Sequence, residues 1–179
     1  MRTIRTRTIA CAVAMAAVLS LAPLRAQTTQ TALSKEAGTL SDKFAGLARV
    51  MAGKYSWKPG EGVRSVGDVF NLIVMENGLL VETLTGAGGG RGDGRGAQVI
   101  APEKLEEALK TSYANVQKAI EGLSDADLKA PVKLFGRDMT KEDAVRYLFG
   151  DQHEHLGQSI AYARSNDART GLDHDGMLR

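Results

Sequence analysis

Two of the three histidines stand in the segment Asp151-Gln152-His153-Glu154-His155-Leu156-Gly157-Gln158. His153 and His155 are two positions apart, roughly 200° around a helix, so they cannot share a face. Asp151 and His155 are four apart and can. An acid and a histidine at that spacing supply two ligands for a divalent metal. The plainer reading is an Asp–His hydrogen bond or a solvated helix face, and spacing alone leaves both open. A third ligand must come from another element, and His174, in a polar tail, is a poor candidate. Two other patterns fail their context tests. The glycine-rich run Gly86–Gly92 matches loose phosphate-loop spacings, but no strand pattern precedes it and no Lys-Ser/Thr follows. Arg91-Gly92-Asp93 spells an adhesion tripeptide, which in such a run reads as a chance match.

The elements that must position these residues follow from apolar spacing. Leu33, Ala37, Leu40, Phe44, Leu47 and Met51 lie on one face of a first helix, closed by Gly53. Residues 54–62, with Pro59, Gly60 and Gly62, are non-helical, and Ser65 is an N-cap for the second helix. That helix carries Val66, Val69, Phe70, Ile73, Asn77, Leu80 and Leu84. Seven glycines between Thr85 and Gln98 preclude a helix there, since each costs about 1 kcal/mol relative to Ala. Pro102 suits the start of a third helix with Leu105, Leu109, Tyr113, Val116, Ile120 and Leu123. Ser124–Asp127 begins a short turn or helical cap that Pro131 ends, and residues 132–139 read as a small extended loop. Thr140 and Asp143 form a capping-box pair for a fourth helix bearing Val145, Leu148, Phe149, Gln152, Leu156, Ile160 and Ala163. Asn166 ends it, and residues 167–179 form a polar tail. Four amphipathic helices without a strand-period rival predict an all-α four-helix bundle. The glycine-rich gap is long enough for helices two and three to run parallel. Trp57 is expected to pack on the bundle end and pin the first loop, and Asn77 to make a buried polar contact or a pocket wall.

Composition bounds the function. The chain has 179 residues, 43% of them hydrophobic and 5% aromatic, which supports a core and disfavours base-stacking folds. Residues 1–26 run from a basic start through an apolar stretch to Pro23 and Ala26, the order of a secretory signal peptide. The apolar stretch is short of the ~20 residues that span a bilayer. Cleavage after Ala26 is the expected event, although Leu24 is large for the −3 position. It would remove four Arg and no acid, leaving 19 basic against 21 acidic groups, so a nucleic-acid partner loses its support. It would also remove Cys11, the sole cysteine, and with it any thiol nucleophile, disulfide or thiolate metal site.

Tyr55-x-Trp57-x-Pro59 followed by Val63-Arg64-Ser65-Val66-Gly67, then Val132-Lys133-Leu134-Phe135-Gly136, then Glu154–Arg164, resembles the DinB-like (DinB/YfiT) superfamily over about residues 34–166. The resemblance implies a four-helix bundle of up-down-down-up connection, in agreement with the glycine-rich crossover between helices two and three. It also implies a relation to metal-dependent enzymes, including thiol transferases and an isomerase dependent on a small thiol. Their metal is held by one histidine on the second helix and an H-x-x-x-H pair on the fourth. Those positions fall here on Leu72, Asp151 and His155, so one histidine of three is kept. Glu76, one turn after Leu72 on the same face, could complete a Glu76–Asp151–His155 set, but the general exposure of glutamate favours a solvated carboxylate.

The resulting expectation is an exported, periplasmic or secreted bundle with a signal peptide at 1–26 and a folded domain at 27–166. It would bind a ligand or partner and carry a degenerate metal site. The alternative is a divalent-metal-dependent hydrolase or thiol transferase using His155, Asp151 and Glu76, with Zn or Ni as the metal. A small-molecule ligand and a homodimer are the expected partners, with no nucleic acid and no membrane span after processing.

Overall fold

The computed structural model describes residues 28–87 and 99–166. Residues 1–27, which hold the expected leader and cleavage point, most of the glycine-rich run (88–98), and the tail from 167 with His174 lie outside the described residues.

Four long helices account for most of the rest: α1 (Thr29–Val50), α2 (Val66–Thr85), α3 (Leu105–Glu121) and α5 (Lys141–Ser165). A short α4 (Asp125–Leu128) and strands β1 (Pro131–Leu134) and β2 (Arg137–Thr140) join α3 to α5. The helix starts are set by local chemistry. Ser65, Ser124 and Thr140 each accept from the backbone N–H three residues on, and Asp68, Asp127 and Asp143 return the bond to the cap backbone. Each exchange satisfies donors that the first turn leaves free. Asp therefore serves as the partner acid as well as the longer Glu or Gln. Pro102–Lys104 forms a single 3-10 turn that leads into α3. Gly86 ends α2 with φ 71°, a left-handed conformation that costs glycine nothing.

The predicted stripes are the core. Leu33, Ala37, Leu40, Phe44, Leu47, Val69, Phe70, Ile73, Leu105, Leu109, Tyr113, Val116, Val145, Leu148 and Phe149 are all buried. α3 packs against α1 and α2, and α5 packs against the same two, so the neighbour order is α1–α3–α2–α5 around one interior. Phe44 stacks on Tyr113 at 6.2 Å between ring centroids and meets Phe70 edge-on at 6.4 Å, tying three helices together.

The expected extended loop at 132–139 is instead a hairpin. β1 and β2 are antiparallel, pairing Pro131 with Thr140 and Leu134 with Arg137. Its two turn residues, Phe135 (φ 48°) and Gly136 (φ 76°), are both left-handed, the requirement of a two-residue hairpin turn. The hairpin delivers the chain to α5, where Lys141 N–H donates to Ala130 O at 3.0 Å.

The loop before α2 is pinned as predicted. Trp57 O accepts from Val66 N–H at 3.0 Å, and the half-buried Trp57 ring meets Tyr162 of α5 edge-on at 5.3 Å. Tyr55 O accepts from Gly67 N–H at 2.8 Å. A side chain at Gly67 would place its Cβ 3.1 Å from that oxygen, so the close approach suits glycine. Among the described residues no helix is long and apolar enough to cross a membrane.

Candidate metal centre

Glu76, Asp151 and His155 come together where α2 packs on α5, with one ligand atom from each within 4.8 Å of the others. Asp151 and His155 share a face of α5, and His155 Nε2 lies 3.5 Å from Asp151 Oδ2. Glu76 is not the solvated carboxylate its residue type suggests: it is 4% exposed. Its position explains this. It follows Ile73 by three and precedes Leu80 by four, so it sits on the buried stripe of α2. That stripe was visible in the sequence, and the exposure habit of glutamate masked it.

Burial has an electrostatic consequence. Removal from water pushes the Glu76 carboxyl up to about 8, with Asp151 beside it adding to the rise. A hydrogen bond with Gln152 and the charge of Arg64 act in the opposite sense and are outweighed. Among the described residues, buried Glu76 Oε2 finds no hydrogen-bond partner. Asp151 keeps a solvent-facing side chain, 42% exposed, while that of His155 is 15% exposed. The cluster is thus closed by α2 on one side and open on the other.

His155 is held from behind. Its Nδ1 lies 2.9 Å from Gln158 Oε1. Gln158 Nε2 donates to Tyr162 Oη at 2.8 Å, and Tyr162 Oη donates to the backbone carbonyl of Arg64 at 3.3 Å. His153 takes no part: it is exposed and lies 2.9 Å from Glu36 Oε1 of α1, on a different face as its spacing requires. Leu72, the position where the resemblance implies a second-helix histidine, is half-buried and offers no donor atom. The carboxylate one turn further along reaches the α5 pair instead.

A buried polar network lies behind the cluster. Tyr113 Oη donates to Gln152 Oε1 at 3.0 Å, Gln152 Nε2 donates to Asn77 Oδ1 at 2.9 Å, and Asn77 Nδ2 donates to Ser112 Oγ at 2.9 Å. Burial raises the Tyr113 phenol well above its ordinary value, so it stays a neutral donor. Asn77 and Gln152 each interrupt an apolar stripe, and that was the sequence signal for the network. Asn77 also fulfils its other expectation. With Ser112, Val74, Val81 and Ile100 it lines a groove of about 810 Å³ between α2 and α3, which includes none of the three candidate ligands.

No family model and no curated protein matches the chain. Solved structures do. A DinB-like protein from Bacillus subtilis superposes with a TM-score of 0.63 at 17% identity, covering 77% of this chain and 93% of that one. A DinB-like protein from Bacillus cereus superposes with a TM-score of 0.65 at 16% identity, with coverage of 77% and 93%. At these identities the likeness is one of architecture, and on that ground the protein has the DinB-like fold.

Proposed function

We propose that the protein is a divalent-cation-binding bundle whose ion is held by Glu76, Asp151 and His155. The observation that carries this reading is the buried, unpartnered Oε2 of Glu76 within a cluster of acceptor groups. A buried polar atom without a partner is costly, and three converging acceptors cannot satisfy one another without a proton or a cation between them. Two carboxylates and one imidazole suit Zn, Ni or Mn, so the residues fit the group that the DinB-like resemblance implies. When bound, such an ion supplies Lewis acidity and lowers the pKa of a coordinated water.

The chain's own contributions are distinct. Glu76 is fixed by packing, Asp151 stands at the solvent edge, and His155 is oriented by hydrogen bonding. Three protein ligands with an open side match catalytic sites better than closed structural ones. The reading therefore extends to cation-dependent hydrolysis or group transfer on a small molecule. The neighbour order of the helices suits the up-down-down-up four-helix connection, with the glycine-rich run as its crossover. The leader-like residues 1–26 support a periplasmic or secreted setting.

Calorimetric titration of chelator-treated, tag-free protein with Zn, Ni and Mn tests the site. One ion per chain is expected, with affinity falling by about tenfold or more in Glu76→Gln and in His155→Ala. Absence of binding, or affinity in both variants unchanged from that of the unsubstituted protein, would overturn the assignment.

A further inference from the structure

We propose that Gln158, itself held by Tyr162, is a positioning residue that fixes the tautomer of His155, leaving a bare Nε2 lone pair facing Glu76 and Asp151. This inference rests on the cation reading of the site.

The hydrogen-bond chain determines the proton's place step by step. The backbone carbonyl of Arg64 can only accept, so Tyr162 must donate its O–H there. The phenol oxygen then accepts from the Gln158 amide N–H. That orientation turns Gln158 Oε1 toward His155, and an amide oxygen can only accept. Nδ1 therefore carries the hydrogen, and a neutral imidazole has no second one for Nε2. The separation on the other side agrees: His155 Nε2 and Asp151 Oδ2 are 3.5 Å apart, longer than an ordinary N–H···O hydrogen bond of about 2.7–3.2 Å.

The arrangement opposes the plain Asp–His pair that spacing alone leaves open. An isolated Asp–His pair would gain by placing a proton on Nε2 and donating it to the acid. Here the relay draws the proton to the far nitrogen, as an outer partner does for a metal-ligating histidine. Tyr162 is anchored in turn by the edge-on Trp57 ring, so the loop before α2 bears on the orientation of a side chain in the middle of α5.

Nitrogen-15 NMR of cation-free protein at pH 8, with the His155 resonances assigned by their loss in His155→Ala, tests the relay. In the unsubstituted protein Nδ1 should be protonated and Nε2 bare. Gln158→Leu and Tyr162→Phe should both raise the Nε2–H population, whereas Gln158→Glu, which keeps the acceptor, should preserve the original tautomer. Zn affinity should fall about tenfold in Gln158→Leu. An Nε2–H tautomer in the unsubstituted protein overturns the proposal whether or not any variant folds. So does a Gln158→Leu variant with unchanged tautomer and unchanged Zn affinity. The expected tautomer pattern without Zn binding by any form upholds the relay and rejects the cation reading, so the two failures are separable.

Discussion

The carboxylates of Glu76 and Asp151 stand side by side between α2 and α5, one buried and the other at the solvent edge. With its carboxyl at about 8, Glu76 holds a proton in the folded chain that it releases near 4.5 when unfolded. Between those values the folded state binds more protons, so this group's stabilising contribution is complete below the unfolded pKa and is lost as pH rises through about 8. Cation-free protein should therefore melt at a lower temperature at pH 8.5 than at pH 5.5. Glu76→Gln, neutral throughout and still able to donate to Asp151, should flatten the profile. Adding a divalent cation at pH 8.5 should restore the melting temperature of the unsubstituted protein alone. A profile equally steep in Glu76→Gln would assign the effect to other groups.

The network behind the site carries a stability prediction. Tyr113→Phe removes the donor to Gln152 Oε1, and Asn77→Leu removes partners of both Gln152 and Ser112. Leaving a buried polar group unpaired costs about 1–3 kcal/mol. Urea denaturation should show losses in that range for each variant. The Tyr113→Phe, Gln152→Leu pair should cost less than the sum of its members, because the double change removes both partners of one bond. Strict additivity would mean that the contact contributes nothing.

The cap of α5 gives a contrasting case. Thr140 and Asp143 exchange the cap hydrogen bonds about two helical turns before Asp151, the nearer of the α5 candidate ligands. Thr140→Ala should cost about 1 kcal/mol in chemical denaturation. Zn affinity, measured well below the unfolding transition, should not change. A parallel loss of affinity would show that the start of α5 is coupled to the site.

Export can be read directly. The basic start, apolar stretch and Ala26 predict a processed form beginning near Gln27. N-terminal sequencing of protein from an exporting host should find it in the periplasmic fraction. Full-length chain beginning at Met1 and confined to the cytoplasm would refute the signal-peptide reading.

The helices and their caps were legible in the sequence because both are local. Apolar residues three and four apart must share a helix face, and Ser65 or Thr140 with an acid three residues on can close a cap without any other element. The same periodicity paired Asp151 with His155 before any fold was known. The hairpin was less legible, because Phe135-Gly136 lacks the Asn-Gly or Asp-Gly signal and the left-handed Phe135 is set by strand pairing. Glu76 was expected in solvent because glutamate is generally exposed, and only the packing of α2 on α5 decided for burial. The contact of Tyr162 with the Arg64 carbonyl joins groups 98 positions apart, and Gln152 meets Asn77 across 75. No spacing rule reaches that far. Local periodicity determines which face a residue occupies, whereas tertiary packing alone decides what that face meets.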